Sequence, residues 1–281
     1  MKYVMYRAKG EPARPAVQQG DGLRAIACES LLAYIRLDSA QRQKAVTDMV
    51  MPANNVDFDA PLRPEKNVFC VGRNYLEHAR EGARAAGRDL KLPEVPAFFT
   101  KAPTAIVGPD APVRLSNIVS NEYDWEGELA VIIGKHARDV REEDALDAVF
   151  GYTCLNDITA RDLQRAHQQW FKGKSLDNSC PLGPCIAGVE EVRDPQALQL
   201  QVRVNGLEKQ HASTANMIFP VARVICELSK GLTLEPGDII ATGTPAGVGF
   251  ARTPPEFFKN DDIVEVEIQP IGILRNRIVI S

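Results

Sequence analysis

The stretch NEYDWEGELAVIIG, from Asn121 to Gly134, decides our interpretation of the fold. It ends in an apolar, β-branched run, which is typical of a strand. Alternate side chains of a strand share a face. One face therefore carries aromatic and aliphatic residues, and the other carries four acids, Glu122, Asp124, Glu126 and Glu128. Acids two positions apart on that face are separated by roughly 6–7 Å.

Carboxylates this close have two interpretations. If they are partly buried they repel each other, and one of them is driven to stay protonated. A hard divalent cation such as Mg²⁺ or Mn²⁺ removes that conflict, because it prefers carboxylate oxygens and keeps waters that a substrate can displace. The alternative is an amphipathic edge strand with a solvated acidic face. The rest of the chain has to decide between them.

Composition excludes several classes of protein. The 281 residues carry a formal net charge of −4 without any Lys/Arg-rich run, which argues against a nucleic-acid partner. We expect no membrane span and no secretory signal, since no apolar run is long enough and the first residues lack an apolar core. The six cysteines never occur as C-x-x-C, so we predict reduced thiols in a cytoplasmic protein.

The order of predicted elements favours a mainly β fold of the α+β class. Short strands dominate, helices are few, and no repeated β-α-β alternation appears. Residues 52–66 are rich in Pro, Asn and Asp, which marks a boundary. We therefore predict a small N-terminal α+β domain at residues 1–60 and a larger domain at residues 67–281.

Local patterns predict individual elements. Apolar spacing predicts a helix from Ser30 to Val50, and Thr159 is a good N-cap for a helix that follows it. Residues 82–95 have no clear period and suggest a mobile lid. Ile263 to Ile268 and Ile271 to Ile280 are typical of a closing hairpin.

Five segments of the larger domain are distinctive: VGRNYLEHARE, DWEGELAVIIG, NDITARDLQ, GKSLDNSCPLGP and PGDIIATGTPAGVG. In this order they resemble the signatures of the fumarylacetoacetate hydrolase family, over about residues 67 to 280. The first 60 residues match only loosely the N-terminal domain of some members. The resemblance implies a mixed β-sandwich roll, usually a homodimer, with one divalent metal ion per subunit. Members act on β-diketo or 2-keto acids by C–C hydrolysis, decarboxylation, hydration or isomerisation.

The resemblance also implies a metal site and an acid–base pair. Glu126, Glu128 and Asp157 match the family's metal ligands. We expect Glu122 and Asp124 to contact these ligands rather than the ion, or to be solvated. His78 and Glu81 are spaced i, i+3 on one helical face and resemble the family's dyad, in which a carboxylate raises the basicity of an imidazole. The alternative is a surface helix with ordinary Glu–Arg pairs.

The remaining matches concern the substrate. Lys174 matches a lysine that faces the substrate, where an ammonium stabilises an oxyanion or enolate. Arg161 and Gln164 resemble contacts to the substrate carboxylate, unless they simply form a helix surface. Thr244 resembles another carboxylate contact, and Arg73 is a further candidate.

We predict from this a hydrolase that cleaves the C–C bond of an acylpyruvate, such as fumarylpyruvate or acetylpyruvate, to pyruvate and a carboxylic acid. Glu81 would orient His78, and His78 would deprotonate the attacking water. The same site would also suit an oxaloacetate decarboxylase or an isomerase of 2-hydroxyhepta-2,4-diene-1,7-dioate. An alternative of another class is a catalytically silent protein that binds a metal ion or metabolite.

Overall fold

The computed structural model describes residues 1–85, 87 and 89–281, and the chain there forms mostly β-strands. In chain order the strands are β1 (Lys2–Ala8), β2 (Arg14–Gln19), β3 (Gly22–Ile26), β4 (Val46–Pro52), β5 (Val56–Asp59), β6 (Val68–Gly72), β7 (Ala97–Lys101), β8 (Ile106–Val107), β9 (Val113–Leu115), β10 (Tyr123–Asp124), β11 (Gly127–Ile133), β12 (Val149–Asn156), β13 (Thr159–Ala160), β14 (Cys180–Gly188), β15 (Gln199–Val204), β16 (Leu207–Ser213), β17 (Ile239–Ala241), β18 (Ile263–Ile268) and β19 (Gly272–Ile280). The helices are α1 (Leu31–Ile35), α2 (Ser39–Ala45), α3 (Leu76–Ala85), α4 (Arg161–Ala166), α5 (Phe171–Lys174) and α6 (Val221–Ser229).

The large sheet has the strand order β4-β3-β2-β1-β14-β12-β11-β17-β6-β7, with β5 added to β1 and β8 to β14. The prediction of one strand through the acidic stretch is wrong: Tyr123–Asp124 forms β10, Gly127–Ile133 forms β11, and Trp125 and Glu126 lie between them. β11 lies near the middle of the large sheet, antiparallel to both β12 and β17. β11 is therefore a central strand, and the edge-strand interpretation of its acidic face is wrong. The expected mainly β fold of the α+β class is confirmed.

Two apolar layers cover the two faces of β11. Leu129, Val131 and Ile133 belong to a core that also contains residues of the second sheet, whose order is β16-β15-β18-β19-β9. Ala130 and Ile132 belong to a second core, which contains residues of α1. Since the strand is enclosed on both sides, its carboxylates can only point into a space that the protein itself shapes.

The predicted long helix from Ser30 to Val50 is wrong. The Asp38 side chain accepts a hydrogen bond from the Gln41 backbone, and the Gln41 side chain accepts one from the Asp38 backbone. This capping box starts a new helix, so α1 and α2 are separate. From Val46 onward the chain pairs with β3 as strand β4, in keeping with the preference of β-branched residues for strands.

The large sheet continues across the expected domain boundary. No helix or strand occurs between Asp59 and Val68 of the described chain, as expected of a connecting segment. β1 nevertheless pairs with β14, so the sheet joins the first residues to the part of the chain after the boundary. The division into two domains stays a prediction.

Two other predictions have clear outcomes. The closing hairpin is present as β18 and β19, which pair antiparallel. Thr159 is not the cap of the following helix: α4 has Ala160 at its N-cap, and the Thr159 hydroxyl donates to the Asp157 carbonyl. Among the residues that the structure describes, none of the helices is both long and apolar enough to cross a bilayer.

Candidate metal centre and substrate cavity

Three acids meet where β11 begins and β12 ends. Glu126 and Glu128 flank Gly127, which pairs with Asn156, and Asp157 follows directly. One oxygen from each of the three carboxylates can be chosen so that all lie within 4.8 Å of one another. All three residues are buried. The structure therefore brings together the three acids that the sequence singled out.

Two lysines contact Glu126 and Asp157 of this acidic triad, which consists of Glu126, Glu128 and Asp157. The ammonium nitrogen of Lys174 lies 2.7 Å from both Glu126 Oε2 and Asp157 Oδ2. Lys101 Nζ lies 2.8 Å from Asp157 Oδ1. Burial favours the neutral form of Lys174, but the neighbouring carboxylates Asp157 and Glu126 outweigh it and raise its pKa. Lys174 is thus a fixed positive charge rather than a base.

The two glutamates of the triad have opposite electrostatic environments. Burial alone would raise the pKa of Glu126, but Lys174 and Arg161 lower it to about 2. The pKa of Glu128 is raised well above its usual range by burial, and then by Asp157 and Glu126. Glu128 Oε2 accepts a 2.7 Å hydrogen bond from the Gly243 backbone. Glu128 is therefore the member of the triad that most lacks compensating positive charge.

The donor set fits a hard divalent cation. Asp157 is paired with Lys101 and Lys174, whereas Glu128 has no cationic partner within hydrogen-bond distance among the described residues. A buried carboxylate of this kind favours a cation close by. Carboxylate oxygens are the ligands that Mg²⁺ and Mn²⁺ prefer, and such a charge would also relieve Glu128. Glu126, Glu128 and Asp157 are therefore suited to hold a divalent ion.

The histidine–glutamate pair is present and oriented. His78 Nδ1 lies 2.8 Å from Glu81 Oε1, and Glu81 Oε2 accepts a 2.9 Å hydrogen bond from the Gly247 backbone. Both side chains are mostly buried. Because Glu81 is bonded to the Gly-rich loop of residues 242–248, its position is fixed and it orients the His78 ring. The surface-helix interpretation therefore does not describe this face of α3.

The guanidinium of Arg161 is bound to two acids of the protein itself, Asp124 and Glu126. Its Nε and Nη2 donate to the two oxygens of Asp124 at 2.6 and 3.1 Å, and Nη2 also donates to Glu126 Oε1 at 2.6 Å. Its Nη1 donates to Gln164 Oε1 at 3.1 Å. Burial raises the pKa of Asp124 to about 6, despite the contact with Arg161. Arg161 thus orients Glu126, and its predicted contact with a substrate carboxylate stays a prediction.

Thr244 and a residue not predicted, Gln210, form one buried network. The Thr244 hydroxyl donates to the Gly127 carbonyl at 2.9 Å and accepts from Gln210 Nε2 at 2.8 Å. Gln210 Oε1 accepts the Gly127 N–H at 3.0 Å. Gln210 thereby ties the Gly-rich loop to the residue between the two glutamates. Lys101 was not predicted either, and neither residue lies in a motif that would have marked it.

One cavity of about 910 Å³ connects these groups. Its lining includes eight of the ten predicted site residues, all except Glu81 and Asp157: Arg73, His78, Glu126, Glu128, Arg161, Gln164, Lys174 and Thr244. Trp170, Phe99 and Phe250 supply aromatic walls. The predicted lid at residues 82–95 includes Ala86 and Arg88, which lie outside the described residues, although Asp89 and Lys91 line the cavity.

A mainly β fold in which charged and polar groups line one large cavity is suited to bind a small molecule. Comparison with known proteins then gives the family. The chain belongs to the fumarylacetoacetate hydrolase family, whose model "Fumarylacetoacetate (FAA) hydrolase C-terminal" matches residues 67–279.

Similar proteins within this comparison are named as different enzymes. The chain is 47% identical over 226 residues to oxaloacetate tautomerase YisK of Bacillus subtilis (strain 168), covering 80% of this chain and 74% of that protein. It resembles the solved fumarylacetoacetate hydrolase from psychrophilic Exiguobacterium antarcticum, with 39% identity, a TM-score of 0.87 and full coverage of both chains. It also resembles the 2-hydroxyhepta-2,4-diene-1,7-dioate isomerase from Mycobacterium marinum, with 34% identity, a TM-score of 0.80 and coverage of 100% and 99%.

Proposed function

We propose that this protein is a divalent-metal-dependent tautomerase that interconverts the keto and enol forms of oxaloacetate. The observation that carries the proposal is that an oriented histidine, His78, lines the same cavity as Lys174 and two acids of the triad, Glu126 and Glu128. The name of the Bacillus subtilis relative supports this choice of reaction. It also moves the preference away from acylpyruvate hydrolysis, which the sequence alone put first.

His78 is suited to move the proton. In the tautomer in which Nδ1–H donates to Glu81, Nε2 is an acceptor and can act as a base. Nε2 takes one proton from C3 of the keto form, and the electron pair moves through C2 to the carbonyl oxygen. The same proton, or one from solvent, then goes to that oxygen and completes the enol. The reverse order of these steps gives the keto form.

Lys174 supplies charge rather than protons. Its ammonium is held between Glu126 and Asp157 at 2.7 Å from each, so it stays on the cavity wall without reorganisation. A fixed positive charge in a buried site stabilises the negative charge that develops on the C2 oxygen. A divalent ion held by Glu126, Glu128 and Asp157 would add Lewis-acid stabilisation of that charge.

The test follows tautomerisation directly. Enol-oxaloacetate loses ultraviolet absorbance as it ketonises, and the enzyme should accelerate this loss above the spontaneous rate when Mg²⁺ or Mn²⁺ is present. Pyruvate is measured in the same samples. Faster ketonisation without pyruvate supports the proposal, whereas an unchanged rate with pyruvate release from oxaloacetate indicates a decarboxylase and contradicts it.

A second candidate is hydrolysis of an acylpyruvate, because one observation favours it. The cavity of about 910 Å³ is large for a four-carbon acid, since pockets of about 300–1,000 Å³ accommodate drug-sized ligands. The His78–Glu81 pair would serve equally to deprotonate an attacking water. Pyruvate release from acetylpyruvate at a rate above that of oxaloacetate ketonisation would favour this candidate.

A further inference from the structure

Arg73 is a charged side chain on the cavity wall with no acidic partner among the residues that the structure describes. It is exposed and follows directly after β6. The other arginines of the cavity are neutralised: Arg161 pairs with Asp124 and Glu126, and Arg165 pairs with Glu122 at 2.6 Å. The Arg73 guanidinium is thus able to bind an anionic ligand.

The backbone at Arg73 is held in an uncommon conformation. Its φ is +57°, in the left-handed region that costs a residue with a side chain about 1 kcal/mol or more. The next residue, Asn74, is fully buried and bonded to the Phe219 and Thr242 carbonyls at 3.0 and 2.8 Å. Glycine would adopt this φ without strain. An arginine here therefore points to a use for its side chain.

Trp170 positions the guanidinium. Arg73 Cζ lies 5.6 Å from the centre of the Trp170 ring, within the range of a cation–π contact. The ring is itself fixed, because it packs edge-on against Phe99 at 5.3 Å and covers Gly72 so closely that a Cβ there would lie 2.5 Å from Cζ3. A cation–π contact uses the face of the guanidinium and leaves its N–H edge free for hydrogen bonds.

The proposed function places one end of the substrate and leaves its other carboxylate without a binding group. In the proposed function, on which this inference rests, the 2-oxo acid end lies at the acidic triad, His78 and Lys174. Oxaloacetate carries a second carboxylate at C4, and a guanidinium binds a carboxylate through two parallel hydrogen bonds. We propose that Arg73, positioned on Trp170, binds this distal carboxylate and makes the enzyme selective for 2-oxo dicarboxylates over 2-oxo monocarboxylates.

The experiment compares two ligands in the Mn²⁺-loaded full-length protein. Calorimetry gives the dissociation constants of oxaloacetate and pyruvate for wild type, Arg73→Gln and Arg73→Lys. The glutamine variant should weaken oxaloacetate binding by about 10- to 100-fold, the range for a lost charge-assisted hydrogen bond, and should weaken pyruvate binding far less. Lysine should restore part of the loss, and KM for ketonisation should rise more than kcat falls.

Arg165→Gln is the matched control, since it removes the same charge from the same cavity. It should change neither dissociation constant by more than about twofold, because Arg165 is exposed and already paired. Equal losses for both ligands in Arg73→Gln, or no loss at all, overturn the inference. Thermal melting confirms that the variants are folded.

The outcome is separable from that of the proposed function. If wild type fails to accelerate ketonisation, the tautomerase proposal fails, but the binding comparison still decides the role of Arg73. Preference for oxaloacetate in wild type and its loss in Arg73→Gln support the inference. Equal affinity of wild type for pyruvate and oxaloacetate overturns it, whatever reaction the site performs.

Discussion

Lys101 Nζ lies 2.8 Å from Asp157 Oδ1, and both side chains are fully buried. The ammonium also donates to the carbonyls of Ile158, at 3.2 Å, and Lys174, and to Ser179 Oγ at 3.3 Å. Lys101 therefore connects the end of β7 to the two segments that carry Asp157 and Lys174. It fixes the separation of those two side chains without lining the cavity.

Lys101→Met should destabilise the fold by about 3–5 kcal/mol, because it leaves Asp157 without one of its two buried cations. Urea unfolding measures the loss. In the double variant with Asp157→Asn, no unpaired charge is left buried. Its loss of stability should therefore be smaller than the sum of the losses in the two single variants. Strict additivity would mean that the two residues do not interact.

Glu128→Gln should stabilise the metal-free protein at pH 7. Burial and then the neighbours Asp157 and Glu126 raise the Glu128 pKa well above its usual range, so the ionised form disfavours folding there. The neutral glutamine avoids this cost, so we expect a higher free energy of unfolding than that of wild type. The variant should also lose the stabilisation that Mn²⁺ gives to wild type.

Thermal melts with and without MnCl₂ measure both effects of Glu128→Gln. Glu122→Gln is the control, because Glu122 pairs with Arg165 near the surface and lies outside the triad. A full Mn²⁺ response in Glu128→Gln would contradict our assignment of the ligands.

His78→Gln should lower kcat for ketonisation by about 10²- to 10⁴-fold, the usual contribution of an acid–base group. KM should change little, since His78 acts on a proton rather than holding the substrate. Glu81→Gln should cause a smaller loss, because the ring keeps a hydrogen-bond partner but loses the negative charge beside it. His211→Gln, on the exposed surface, should have wild-type rates. Wild-type kcat in His78→Gln would exclude this residue from the chemistry.

Gly127→Ala should destabilise the protein by about 1–3 kcal/mol through overpacking. A Cβ at this position would collide with Val202 Cγ2 of the second sheet and lie 3.3 Å from Val266 Cγ1. Val202→Ala opens that space, so the double variant should be more stable than the sum of the single effects predicts. Val264→Ala, elsewhere in the same sheet, should combine additively. Denaturant unfolding of the single and double variants provides the comparison.

Local rules predicted only part of the site. The spacing of Glu126 and Glu128 indicated that two carboxylates lie close together, although Glu126 precedes β11 rather than belonging to it. The i, i+3 spacing of His78 and Glu81 allowed their side chains to meet, and in α3 they lie 2.8 Å apart. The inclusion of Asp157 with the glutamates, and the choice of an acid–base pair over a surface helix, came from the resemblance to the family.

Contacts between distant segments were not predictable. Asp124 and Arg161 are 37 positions apart and meet because β10 pairs with β13. Lys101 ends an ordinary apolar strand, and only the packing of three segments around it shows that its charge is buried. The error at Ser30 to Val50 was of another kind, since apolar spacing continued past a capping box that ends one helix and starts the next.

The pairing of β1 with β14, in which Lys2 lies opposite Ala187 and Tyr3 opposite Ile186, has a practical meaning for protein engineering. Removing the first 60 residues would leave the main-chain N–H and C=O groups along that side of β14 without partners. Exposed strand edges of this kind pair with strands of other molecules and cause aggregation. A chimera that exchanges this region for another must therefore bring a replacement strand with it. Without one, precipitation would be mistaken for loss of catalysis.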